Sequence, residues 1–204
     1  MRIQLVTGPI NHAVSEREAK VHLRIPEGET ADDEYIERLI LVAAGEIEHM
    51  TGRAILDKTY DYWLDGWPDG DFIELPYPPL IWTVADSHIQ YIHTPVETAG
   101  VVTYTTTTMS VNDYSVDRDS EPGRIALEYS KTWPSETLRK YNPINIRFDC
   151  GYDEPADVPE KLKQAMLLMI ADMFIFRQTK IAAVKVETMD TVWQLIDDYC
   201  VDWL

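Results

Sequence analysis

The spacing of apolar residues changes twice along this chain, and this change constrains the fold more than any other feature. Between Tyr35 and Met50 apolar residues recur every three or four positions, the period of a helix with one buried face. From Arg53 to Cys150 the period falls to about two, as in short strands. The helical period returns at Asp157. The sequence therefore predicts an α+β fold, with an antiparallel β-domain inserted into a helical core.

Capping signals place two helices before the β-rich region. Ser15 and Glu18 have the spacing of a capping box and start the first helix. Thr30 and Asp33 are predicted to cap the second helix, and Gly52 stands where a left-handed C-terminal cap is expected. Eight short strands should follow, at residues 59–64, 72–75, 81–84, 89–92, 101–105, 114–116, 124–127 and 144–148.

A third helix is predicted after the β-rich region, where Asp157 and Glu160 repeat the capping-box spacing. It is apolar on nearly every face between Ala165 and Phe176, so it must be covered on several sides. It is either enclosed by its own domain or shared between the core and a subunit interface. The residues assigned to this interface or core are Met166, Met169, Ile170, Met173 and Phe174.

The chain is predicted to end in an amphipathic helix over residues 192–204. Its acidic last turn opposes the helix dipole, so it should fray unless its apolar face is docked, either on its own core or on a neighbour. The apolar face is formed by Val192, Trp193, Leu195, Ile196, Tyr199, Cys200 and Trp203.

These elements divide the chain into five segments. Residues 1–14 form an N-terminal arm, 15–52 and 151–177 form the two parts of the helical core, 53–150 form the β-rich insertion, and 178–204 form a connector with the terminal helix. The absence of a signal-peptide pattern and of a long apolar run leads us to expect a soluble, cytosolic protein without a membrane partner.

Charge excludes several functions. The chain has 35 Asp and Glu against 18 Lys and Arg, a net charge of −17. Proteins that grip nucleic acid need a basic surface to displace counterions, so specific DNA or RNA binding is disfavoured, as is binding to anionic membranes. An apolar fraction of 45% excludes a disordered acidic chain.

No catalytic, cofactor-binding or metal-binding motif is present. The two cysteines, Cys150 and Cys200, form no CxxC pair, and no histidine has metal-ligand spacing. We therefore expect a structural protein that needs no cofactor and performs no catalysis. The alternative is a carbohydrate-active hydrolase or binding module whose acidic β-region, in a chain with 6 Trp and 11 Tyr, forms a sugar groove.

Eight segments together resemble a known family, the head-tail connector (adaptor) proteins of tailed bacteriophages and prophages, in the branch with a β-rich insertion. The match spans residues 15–177. In chain order the segments are Ala19-Lys-Val-His-Leu-Arg-Ile, Thr51-Gly-Arg, Leu75-Pro-Tyr-Pro-Pro-Leu, Asp113-Tyr-Ser-Val-Asp, Glu121-Pro-Gly-Arg-Ile, Trp133-Pro, Phe148-Asp-Cys-Gly-Tyr and Val158-Pro-Glu-Lys-Leu-Lys-Gln-Ala.

The resemblance implies a virion protein that assembles in the host cytoplasm as a closed ring, commonly of twelve copies, on the portal of the filled capsid. Its partners would be further copies of itself, the portal protein, and a tail-side stopper or tail-completion protein. In this family the C-terminal segment commonly engages the portal, which would make the apolar face of residues 192–204 a portal-docking surface. A further alternative is a tail-completion protein that forms a similar ring on the tail side.

An axial channel for DNA gives the acidic charge a role. An acidic channel wall repels the duplex, so the genome passes without specific binding. The candidate channel-facing acids lie at the start of the second helix: Asp32, Asp33, Glu34 and Glu37.

Overall fold

The computed structural model of the chain describes most of its residues. Side chains are described throughout these ranges except in 185–189, where only the backbone is. The described ranges are 2–83, 88–98, 101–176 and 185–201.

The chain divides into two compact units, each built from two separate stretches of sequence. The β unit comprises Met1–Gly8 and Asp57–Gly151, and the helical unit comprises Pro9–Leu56 and Tyr152–Leu204. The helices belong to one unit and the antiparallel sheets to the other, which confirms the α+β class and the inserted β-domain.

The helical unit contains α1 (Glu16–Leu23), α2 (Asp33–Thr51), α3 (Glu160–Ile175) and α4 (Lys185–Ile196), which continues into a 3-10 turn at Asp197–Tyr199. No described helix combines the length and the apolar character that a membrane span needs. The core of this unit is formed by side chains from all four helices and from the segments that flank them.

Two predicted caps are confirmed. The Glu18 N–H donates to the Ser15 hydroxyl at 3.2 Å, and the Ser15 N–H donates to the Glu18 carboxylate at 2.7 Å, which completes the capping box of α1. The Ser15 hydroxyl also donates to the Glu18 carboxylate at 2.6 Å, and this bond is the main cause that lowers the pKa of Glu18. Gly52 ends α2 in the left-handed region, with φ of 68°.

Two other predicted caps were wrong. Asp32, rather than Thr30 or Asp33, is the N-cap of α2, and it makes no side-chain cap bond. The Asp33 carboxylate pairs with Lys20 of α1. Helix α3 starts after Pro159, which makes Glu160 its first residue and removes it from the position that a capping box requires. The Asp157 carboxylate accepts the N–H of Glu154 in the preceding loop at 3.3 Å.

Helix α4 also differs from its prediction. It begins at Lys185, inside the segment expected to be a connector, and ends at Ile196 rather than continuing to the C-terminus. Asp197 and Asp198 follow that end, where negative charge opposes the helix dipole. The chain is extended at Cys200, and the Val201 N–H donates to the carbonyl of Thr51 at 2.9 Å.

The β unit contains two antiparallel sheets. The larger has the strand order β1-β2-β9-β5-β6, with β4 also paired to β9, and the smaller has the order β3-β8-β7. The strands are β1 (Arg2–Thr7), β2 (Lys58–Leu64), β3 (Phe72–Glu74), β4 (Leu80–Ile81), β5 (His88–Thr98), β6 (Val101–Thr108), β7 (Tyr114–Asp117), β8 (Arg124–Leu127) and β9 (Ile144–Cys150).

Strand β9 is the centre of the larger sheet. Its side chains Ile144, Ile146 and Phe148 are fully buried. Arg147 lies across from Asp61 of β2 and donates two hydrogen bonds to its carboxylate, each 2.8 Å long. Burial raises the pKa of Asp61, but the bonds from Arg147 outweigh it and the net shift is downward. This ion pair fixes the register of β2 against β9.

Each of the eight predicted strands overlaps an observed strand, although several boundaries move and β4 shares only Ile81 with its predicted range of 81–84, whose last residue lies outside the described residues. The largest extension is in β5, which runs six residues past its predicted end, at 92, to Thr98 and forms a long hairpin with β6. Residues 2–7, expected to belong to an arm, form β1 at an edge of the larger sheet. Their alternation of polar and apolar residues, Arg2-Ile3-Gln4-Leu5, was the missed strand signal.

Candidate interaction surfaces

The predicted docking face of the last helix packs mainly into its own unit. Val192 and Ile196 are 0% exposed in the core of the helical unit, and Leu195, Tyr199 and Cys200 pack against that core. The intramolecular alternative therefore describes these five side chains. Val192 and Ile196 have no exposed surface in this arrangement, whereas Leu195, Tyr199 and Cys200 are partly exposed.

Trp193 is the exception on that helix. It points away from the core and is 44% exposed, an unusual position for the largest apolar side chain. Trp203, the other predicted docking tryptophan, lies outside the described residues. The portal-docking surface stays a prediction, and among the described residues it is reduced to Trp193.

Helix α3 is enclosed within the helical unit over much of its length. Met166 and Ile170 are fully buried, and Met169, Met173 and Phe174 are partly buried against the same core. The Tyr35 hydroxyl of α2 donates to the Met173 carbonyl at 3.2 Å, and its ring lies 5.9 Å from that of Phe174. The core alternative accounts for these contacts, and a ring contact through α3 stays a prediction.

The four candidate channel acids have different surroundings. Lys20 of α1, with a side chain only 7% exposed, lies 2.5 Å from the Asp33 carboxylate and 2.8 Å from that of Glu16. Hydrogen bonds to Asp33 and then to Glu16 raise the pKa of Lys20. Asp33 thus joins α1 to α2 through Lys20, which it shares with Glu16.

The other acids at the start of α2 are more accessible. Glu34 and Glu37 are exposed, with Glu37 at 3.9 Å from the ring of His12, and Asp32 is half-buried at the N-cap. Glu34 and Glu37 therefore differ from Asp33 in exposure, although the sequence offers no reason to distinguish among the four acids.

An apolar strip on the outer face of α2 was missed by the sequence analysis. Leu41 and Val42 are 53% and 48% exposed, and Gly45 beside them has nothing within 4 Å of a Cβ placed on it. The signal was present: both Leu41 and Val42 fall outside the apolar stripe that begins at Ile36 and Leu39. Apolar residues off the buried stripe of a helix are candidates for a contact surface.

Both edges of the larger sheet are also exposed. In β1 every residue except Ile3 is exposed, including Leu5 and Val6. In β6 every residue except Thr107 is exposed, including Val101, at 61%, and the neighbouring Val102 and Tyr104. The threonine-rich end of β6, residues 103–108, is therefore largely exposed.

The carboxylate of Asp117, at the end of β7, is held by hydrogen bonds within its own unit. The Asp117 carboxylate accepts hydrogen bonds from Arg124 at 2.8 Å and from the N–H groups of Ser120 and Asp119, and these bonds lower its pKa to about 2. In the part of the chain that the structure describes, no group of three or more His, Cys, Asp or Glu residues is placed to hold a metal.

The aromatic residues of the β unit contact one another. Trp67 stacks on Trp133 with ring centroids 4.9 Å apart and meets the edge of Tyr91 at 5.8 Å. The Trp133 indole N–H donates to the carbonyl of Gly70 at 2.8 Å. The rings of Trp67, Trp133 and Tyr91 thus pack against one another, which leaves less aromatic surface for stacking on a sugar.

Comparison with known proteins gives matches at the level of structure only. No protein-family model and no curated protein matches the chain. A protein from the neck of an empty gene transfer agent particle, computed with C6 symmetry, superposes with a TM-score of 0.75 at 20% identity. The superposition covers 100% of this chain and 97% of that one.

Two further structures from such particles agree. One is a chain of the native gene transfer agent virion, with a TM-score of 0.69, 21% identity and coverage of 100% of this chain and 98% of that one. The other comes from the native neck computed with C12 symmetry, with a TM-score of 0.64, 22% identity and the same coverage. At these identities the likeness shows a shared fold, and it includes both units of the chain.

Proposed function

We propose that this chain is a structural component of the neck of a tailed-phage or phage-like particle, a head-tail connector that acts by binding and carries out no reaction. The observation that carries the proposal is the likeness to chains from two neck structures and one virion structure of gene transfer agent particles, over 100% of this chain and 97–98% of theirs. A whole-length match supports a shared architecture of the assembled protein better than a match to one unit would.

In this proposal the chain forms a closed ring in the virion after assembly in the host cytoplasm. Rings of identical subunits arise from heterologous contacts that close by rotation, and the similar neck structures were computed with C6 and C12 symmetry. A ring of twelve would surround a channel whose wall carries part of the −17 charge of each subunit. DNA would pass such a wall without adhering to it.

We assign Glu34 and Glu37 to the channel or its rim. Both are exposed, whereas Asp33 is paired with Lys20. We expect Glu34→Gln with Glu37→Gln to slow genome release, because a less acidic wall lets DNA adhere, whereas Asp33→Asn should mainly destabilise the α1–α2 contact. If the Glu34 and Glu37 variant retains and releases DNA as the wild type does, these residues do not line the channel.

Portal docking is assigned to the exposed side of α4. Val192 and Ile196 would anchor the helix to its own unit, while Trp193 would fit a pocket on the portal protein, as large aromatic anchors do at interfaces. The opposite end of the ring would receive the stopper or tail-completion protein.

Deletion of the gene tests the proposal directly. Without a connector, we expect the producing strain to make DNA-filled heads and separate tails, visible by negative-stain imaging, and complementation with the wild-type chain should restore joined particles. Joined particles at wild-type yield in the deletion strain would exclude a connector role.

A further inference from the structure

The two outer strands of the larger sheet have an unusual composition for this chain. The sequence contains 35 Asp and Glu, yet neither β1 (Arg-Ile-Gln-Leu-Val-Thr) nor β6 (Val-Val-Thr-Tyr-Thr-Thr-Thr-Thr) has a carboxylate. Open edges of natural sheets are commonly protected by charges, prolines or short strands, since a free edge pairs readily with another chain. Arg2 is the sole charged residue in these two strands, which are six and eight residues long.

The backbone of β6 presents hydrogen-bonding groups outward. Ile92 of β5 lies opposite Thr106, and it directs its N–H to the carbonyl of Pro143 and its C=O to the N–H of Arg139, away from β6. In an antiparallel ladder the residue opposite such a position also directs its N–H and C=O away from the pair. Thr106 therefore faces the open edge, where β6 is the last strand of the sheet among the described residues.

The outer part of the β5–β6 hairpin contributes little to its own unit. Residues 94–98 and 101–106 are exposed on both faces, and they include Val96, Val101, Val102 and Tyr104. A two-stranded ribbon of this kind is marginally stable in water without a further strand or a packing partner. Pairing with an additional strand would therefore stabilise the hairpin.

Charge indicates which partner completes it. Copies with a net charge of −17 repel one another, so identical subunits meet most favourably where carboxylates are absent. The two open edges of the larger sheet meet this condition. They lie at opposite ends of one sheet, so joining them is a heterologous contact of the kind that closes rings by rotation.

We propose that β6 of one copy pairs with β1 of the next, so that the larger sheets of neighbouring subunits continue into one another around the ring. This inference rests on the proposed function, because the neck supplies the ring. Each junction would combine the outward N–H and C=O groups of β6 with those of β1, and would cover Leu5 and Val6 with apolar side chains of the hairpin.

Cysteine crosslinking in purified particles tests the pairing. Gln4→Cys and Leu5→Cys place a thiol on either face of β1, and each is combined with Thr106→Cys in a complemented deletion strain. A bismaleimide of about 8 Å reach spans directly opposed and diagonal cross-strand neighbours. In a Cys200→Ser background, which removes the partly exposed native thiol, we expect one of the two double variants to give a ladder of covalent multimers in denaturing gels, and each single variant to give none.

Other crosslinking results would overturn the pairing. A covalent dimer from Thr106→Cys alone means that β6 pairs with itself, and no ladder from either double variant means that the edges do not meet. A chain missing from the particles altogether would instead refute the proposed neck function, so the two failures are distinguishable.

A proline provides an independent measure. Thr106→Pro removes an outward N–H without removing a β5–β6 hydrogen bond, and Thr106→Val is the matched control that keeps this N–H. We expect the proline variant to fold with a melting temperature close to that of the control but to lower the yield of joined particles at least tenfold. Equal yields from the two variants would overturn the strand pairing.

Discussion

Helix α4 can be tested by two substitutions one turn apart, which separate its role in the core from its role at a surface. Ile196 is fully buried among residues of the helical unit, and Trp193 on the same helix is 44% exposed. Truncating a buried isoleucine to alanine removes its transfer free energy and leaves a cavity, at a cost of roughly 2–5 kcal/mol. Truncating the exposed tryptophan should cost only about 1 kcal/mol.

These magnitudes translate into distinct thermal transitions. For a chain of this length, about 3 kcal/mol corresponds to a fall of roughly 6–12 °C in Tm, so Ile196→Ala should melt well below the wild type. Trp193→Ala should melt within a few degrees of it and yet lose portal binding. Circular dichroism measures the first effect, and co-sedimentation with purified portal protein measures the second.

The same pair gives clear refutations. If Ile196→Ala melts at the wild-type temperature, α4 does not pack into the core as described. If Trp193→Ala binds portal protein as the wild type does, the exposed side of α4 is not the docking surface. Removal of residues 190–204 is a coarser experiment, because the lost core side chains would unfold the helical unit and mask any effect on binding.

Two further predictions concern the β unit. The folded-state pKa of Asp117 is about 2, below its ordinary value of 3.8, so the stability that Asp117 contributes is complete above pH 3.8 and is lost as the pH falls through about 2. Arg124→Ala should raise this pKa toward 3.8 in an NMR titration, and an unchanged pKa would refute the role of the ion pair. A Cβ on Gly123 would lie 2.7 Å from the Cβ of Leu80, so Gly123→Ala should destabilise the unit by about 1–3 kcal/mol in urea unfolding, and wild-type stability would show that the two segments are not so closely packed.

Local rules predicted much of the fold. The capping box at Ser15 and Glu18 and the left-handed cap at Gly52 depend on neighbours within a few residues, so the sequence alone specifies them. The change of apolar period around Arg53 likewise identified the inserted β region, because it reflects which faces are buried over many consecutive residues.

Predictions failed where tertiary contacts decide. Asp33 was predicted to cap α2, but the position of Lys20 on a different helix makes its carboxylate an ion-pair partner, whereas its assignment to a channel stays a prediction. The apolar face of the last helix could equally have met a neighbour or its own core, because amphipathicity specifies that a face is covered and not what covers it. Edge strands such as β1 are likewise set by long-range pairing.

The proposed function requires that this chain forms a ring at the neck of a particle. Averaged cryo-electron microscopy images of particles carrying a tagged, complementing copy of the chain measure this directly. We expect a rotationally symmetric ring of copies between head and tail, which bears the tag and encloses an axial channel. A particle whose neck lacks the chain, or contains it as isolated copies without rotational symmetry, would contradict it.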